Sequence, residues 1–227
     1  GIYAIAGKFA LIINIIIEIF NRTWLPFLMK EVNELKNTNK ESKAIFEFIA
    51  KIYTFITCII IIILSLLSEF IITNLSNYLY HDAKYIFPLL CWYLIFYGFF
   101  NIISSSMWIE KKTYYTTIVM FLTLILNLLL NYYFVPIYGV YGAAFSTIGS
   151  YSILLVITLI IVRNIKNIIF PYIFISFNYL LVFIISITIL YSQIDILIKI
   201  LLSFLYIIIS TIYFIKNNYK LFIMRFK

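Results

Sequence analysis

The chain has 227 residues, a formal net charge of +8, 64% hydrophobic and 11% charged residues, and a mean hydropathy of +1.06. Such values lie outside the range of soluble globular domains and describe an integral membrane protein of all-α class. One His and two Cys leave no zinc-ligand spacing, Cys-His pair or Ser-His-Asp set, and no Gly-x4-Gly-Lys-Ser/Thr loop encodes ATP hydrolysis.

Apolar runs long enough for a bilayer core of about 30 Å fall at 1–28, 52–73, 85–108, 114–134, 139–162, 171–191 and 196–215, which predicts seven transmembrane helices. In the first, Tyr3, Gly7, Ala10, Asn14, Glu18 and Asn21 recur at three- and four-residue spacing and share one face, with Arg22 at its edge. A carboxylate and a guanidinium on a membrane helix are costly unless they face the bundle interior or water. Two readings stand: Asn14, Glu18 and Arg22 form a substrate-binding cavity wall, or Glu18 and Arg22 pair near the interface with Arg22 reaching for headgroups. The segment from Lys30 to Lys51 mixes both charges and reads as a solvated loop leading into an interfacial helix.

In the second span Cys58 is a core residue and Glu69 lies near the end, as an interfacial or ion-coupling carboxylate. His81 and Asp82 follow in a connection, too few ligands for a metal. The third span carries a second core cysteine, Cys91, and sets Gly98, Asn101, Ser105 and Trp108 on one face, for helix packing or for contact with a hydrogen-bonding solute. The 22 Phe and 20 Tyr are discounted as signs of ligand stacking, because the same bias enriches Ile, Asn and Lys. Aromatic residues belong at span ends in any case.

The fourth and fifth spans form a hairpin across Pro136-Ile137-Tyr138-Gly139, since Pro lacks an N–H and Gly permits the reversal. So short a link makes the two helices antiparallel neighbours. Met120, Thr123, Asn127 and Asn131 line one arm. Gly139, Gly142, Ala143, Ser146, Gly149 and Ser150 give the other a small-residue face for close approach. The last two spans are almost bare of ionisable groups, with Asp195 and Lys199, four residues apart, expected to pair.

Thirteen of the 17 basic residues fall on one side: Lys30, Lys36, Lys40, Lys43, Lys51, Lys111, Lys112, Arg163, Lys166, Lys216, Lys220, Arg225 and Lys227. The positive-inside rule then starts the first helix outside and leaves the C-terminus cytoplasmic. The net charge is a topology device and calls for no nucleic acid.

The series Asn127, Asn131, Pro136, Gly139, Gly142, Ala143, Ala144, Thr147 and Tyr151 resembles polysaccharide flippases of the Wzx type, in the multidrug/oligosaccharidyl-lipid/polysaccharide exporter superfamily. Residues Gly1 to Lys8 with the helix ending at Trp24-Leu25-Pro26, and Trp108 to Thr113, resemble that family's eighth helix and its turn before the eleventh. The resemblance implies a MATE-like C-terminal lobe, with core helices over residues 1–165 and two accessory helices with a cytoplasmic tail over 166–227. It implies no enzyme, cofactor or metal, and a place in a bacterial inner membrane. The implied function is flipping an undecaprenyl-pyrophosphate-linked oligosaccharide for O-antigen or other surface-polysaccharide export. The implied partners are that lipid-linked oligosaccharide, membrane lipids, an N-terminal lobe of the same protein, and polysaccharide polymerase and chain-length proteins. The chain opens at Gly1 inside a hydrophobic helix, as a fragment would, and residues 1–227 alone are expected not to transport. The competing readings are a drug or cation antiporter of the same superfamily, which wants acidic cavity residues, and a seven-helix receptor. An intramembrane acyltransferase or sugar polymerase would want a His within a span or a long outer loop.

Overall fold

A computed structural model describes the backbone of residues 1–34, 39–166, 170–192 and 194–225, and the side chains of 1–26, 46–164, 170–192 and 194–216. Among these residues the fold is all-helical: α1 (Ile2–Glu34), α2 (Asn39–Leu75), a 3-10 turn (Tyr78–Tyr80), α3 (Ala83–Ile109), α4 (Tyr114–Lys166), α5 (Tyr172–Tyr191) and α6 (Ile196–Arg225). Among the described residues six helices are long and apolar enough to cross a membrane, so the chain is a multi-pass membrane protein. Lys30, Lys36, Lys40, Lys43, Lys166, Lys220, Arg225 and Lys227 lie outside the described side chains. Helix α2 is already helical from Asn39, so the segment entering it joins the second span without a separate interfacial helix.

The chain divides into two compact units. The first comprises Gly1–Glu47 and Ser68–Phe170, the second Phe48–Leu67 and Pro171–Lys227. In the first unit α3 is central, packed against α1 and against α4. It is apolar nearly all round and buries 19 residues, including Trp92, Phe99 and Phe100. A helix hydrophobic on every side belongs inside a bundle. Helices α1 and α3 touch where Phe9 meets Phe87 edge-on at 6.2 Å and Gly7 lies beside Leu90.

Unbent, the 53 residues of α4 would extend about 80 Å, more than twice the hydrocarbon thickness. Instead the chain reverses at Gly139, whose φ of 56° and ψ of −127° are non-helical and open to glycine at little cost. The reversal lies at this one residue, and the first arm stays helical through Pro136. The arms return side by side: Asn127 Nδ2 donates to Ser150 Oγ at 3.1 Å, across 23 residues of chain. A Cβ on Gly142 would lie 2.3 Å from the Phe134 carbonyl oxygen, so only glycine fits where the arms meet. The packed stripe of the first arm runs through Val119, Thr123, Asn127 and Asn131, with Val119 buried at 1% exposure and Met120 turned outward at 40%.

The link from α3 to α4 is equally tight. Lys111 adopts φ 57°, Lys111 N–H donates to Trp108 O at 3.0 Å and Lys112 N–H to Met107 O at 2.9 Å. Those two bonds are the Schellman pattern, with lysine in the left-handed position that glycine usually fills. In the second unit, Phe55 of α2 stacks on Phe214 of α6 at 5.0 Å, and Phe174 of α5 on Tyr213 at 5.9 Å.

Replacing Gly142 by Ala is expected to lower stability by about 3 kcal/mol, because the methyl group meets backbone that cannot yield. Gly149→Ala, whose Cβ would sit 3.6 Å from the Leu130 side chain, should change it by no more than about 1 kcal/mol. Unfolding in mixed detergent micelles, followed by circular dichroism, separates the two variants.

Candidate functional site

Helix α1 has three longitudinal faces. Ala6, Ala10, Ile13, Ile17 and Trp24 are buried, whereas Leu11, Ile12, Ile15, Ile16 and Ile19 are exposed. Between these stripes runs a polar row. Asn14 Nδ2 donates to Glu18 Oε1 at 3.1 Å, and Glu18 Oε2 stands 3.9 Å from Arg22 Nη2. The three residues named from the sequence thus form one chain of contacts. Ala10 leaves the row for the buried stripe, and the buried Oδ1 of Asn21 has no hydrogen-bond partner among the described residues.

The row is open. The side chains of Arg22 and Glu18 are 84% and 56% exposed, so their ion pair is a weak one with its charges still available. Arg22 therefore displays a guanidinium with donors to spare for a phosphate, steadied by Glu18, which is itself held by Asn14.

Several other polar residues go to structure. Asn131 Nδ2 donates to Asn127 Oδ1 at 2.9 Å, which together with the Asn127–Ser150 bond commits both hairpin carboxamides to packing. Ser105 donates to Ile102 O at 2.6 Å, along its own helix. Glu69 pairs with Lys84, tying the end of α2 to the start of α3. His81 closes the 3-10 turn, and among the described residues no group of three or more His, Cys, Asp or Glu side chains comes together. Cys58 and Cys91 are buried, with free thiols.

Lys199 departs from expectation. Its Nζ donates to the carbonyls of Ile189 and Ser192, each at 2.8 Å, rather than to Asp195. An ammonium at the C-terminal end of α5 meets unsatisfied carbonyls and the negative end of the helix dipole, a better partner than an exposed carboxylate. The second unit also holds polar contacts between helices: Tyr206 donates to Asn178 Oδ1 at 2.9 Å, and the Thr57 and Tyr179 hydroxyls are 3.4 Å apart.

A cluster of tyrosines was not foreseen. The Tyr151 ring lies 5.4 Å from that of Tyr93 and 6.2 Å from that of Tyr97, nearly perpendicular to the latter. Tyr93, Tyr97, Asn101 and Trp108 are half-buried along one side of α3, the opening in an otherwise enclosed helix. The four-residue spacing of Tyr93, Tyr97 and Asn101 is visible in the sequence, but it is masked by the abundance of tyrosine throughout the chain.

No family model, curated protein or solved structure matches this chain.

Glu18→Gln and Arg22→Ala are each expected to shift stability by no more than about 0.5 kcal/mol, as exposed pairs do. Lys199→Met, which strips two carbonyls of their donor, should cost about 1 kcal/mol. Denaturation midpoints of the purified variants in detergent test the contrast.

Proposed function

We propose that this chain forms the C-terminal lobe of a Wzx-type flippase that moves an undecaprenyl-pyrophosphate-linked oligosaccharide across a bacterial inner membrane. Counting the two arms of the α4 hairpin separately gives seven crossings, with the N-terminal end outside and the C-terminus cytoplasmic. Two MATE-like lobes would rock about a central cavity, exposing it first to one leaflet and then to the other.

One observation carries this reading: Arg22 presents a largely exposed guanidinium on a membrane helix, with Glu18 and Asn14 behind it. A glycan cannot enter hydrocarbon without losing its water, so a polar cavity must replace that water while the polyprenyl tail stays in the lipid. The pyrophosphate needs a cationic anchor at the cavity wall. Arg22 offers paired donors in the geometry a phosphate accepts. Glu18 orients that guanidinium, and exchange of a proton or cation there would couple transport to an ion gradient or to the membrane potential.

In cells whose surface glycan depends on this gene, Arg22→Ala is expected to lower glycan display by roughly ten- to a hundredfold, the factor for about 1.5–3 kcal/mol of lost charge-assisted hydrogen bonding. Membrane insertion should be unaffected, and Arg22→Lys should retain part of the activity. Undiminished display in Arg22→Ala discards the proposal. A variant pattern in which Glu18→Gln abolishes transport of a cationic drug, while Arg22→Ala leaves it intact, would favour the antiporter instead.

A further inference from the structure

Tyr93 and Tyr97 lie on either side of the middle of α3 (Ala83–Ile109). Tyr151 follows the Gly139 reversal by twelve residues, about 18 Å along its arm. All three rings therefore sit near half-depth of a hydrocarbon core about 30 Å thick, far from the interfaces where tyrosine usually gathers. Their hydroxyls, and the carboxamide of Asn101 one turn beyond Tyr97, form no hydrogen bond among the described residues. All four side chains are half-buried.

Polar groups left unpaired against lipid tails cost several kcal/mol each, so this side of α3 does not face lipid. The exposed side of α1 is different, its middle carrying Leu11, Ile12, Ile15, Ile16 and Ile19, with Lys8 and Thr23 only towards its ends. From this contrast we infer that Tyr93, Tyr97, Tyr151 and Asn101 line a hydrated groove at mid-membrane that binds a neutral sugar ring, stacked on a tyrosine face and hydrogen-bonded through phenol and carboxamide. The side-chain chemistry selects that ligand. Aromatic faces fit the C–H faces of a pyranose, and phenols and a carboxamide offer both donors and acceptors. No ionisable carboxylate or ammonium belongs to the set, which disfavours a charged occupant.

The inference deepens the flippase reading and rests on it for the identity of the cargo.

The test is cysteine labelling in native membranes with a membrane-impermeant trimethylammonium methanethiosulfonate, using N,N′-diacetylchitobiose and maltose as sugar probes. Tyr97→Cys and Tyr151→Cys should react, Ile15→Cys should not, and the buried Cys58 and Cys91 give the background. Either sugar at millimolar concentration should slow labelling by roughly three- to tenfold, the effect of occupying one aromatic contact. Tyr97→Ala should lower glycan display by a similar factor, with Tyr97→Phe, which keeps the ring, falling between it and the parent. If neither cysteine reacts, the groove is dry and the inference fails; if both react but neither sugar protects, the sugar subsite fails whatever the display. If deletion of the gene leaves surface glycan unchanged, the flippase reading falls, and protection by sugar alone then decides the subsite.

Discussion

The first unit depends on how closely the chain passes itself after Gly139. With no side chain on Gly142, the second arm lies directly against the backbone of Phe134. That approach lets the Asn127–Ser150 hydrogen bond close. Inside lipid there is little hydrophobic gain from pressing one apolar helix on another, so close packing and a few hydrogen bonds must hold the pair. The second arm thereby becomes a firm wall for α3, and Tyr151 is brought to Tyr93 and Tyr97.

Charge is distributed by a related constraint. Most ionisable groups with described side chains lie near helix ends or in the turns between helices, where water or helix carbonyls can meet them. Glu18 and Arg22 are the departure, on a helix whose neighbouring face is aliphatic from Leu11 to Ile19. Their cost is reduced by exposure and by Asn14, but it is not removed, and a structure tolerates such a cost most readily where the charge is used.

Much of this was legible in the sequence. The hairpin could be read because proline and glycine act through backbone geometry, which does not depend on neighbours. The Asn14–Glu18–Arg22 row could be read because helical spacing alone brings those side chains together. The central position of α3 could not, since an apolar helix has the same composition whether lipid or protein surrounds it. Lys199 misled because its partners are backbone carbonyls, which carry no letter in a sequence, whereas Asp195 does. The tyrosines were hidden by their own frequency: only three-dimensional proximity separates Tyr93, Tyr97 and Tyr151 from the rest.

The left-handed Lys111 has a mechanical meaning. A turn closed by two backbone bonds and held in a conformation that lysine adopts reluctantly has little freedom to swing. Helix α3 and the first arm of the hairpin are therefore joined as by a welded corner rather than a pivot. Swinging the hairpin away from α3 would require those two backbone bonds to break.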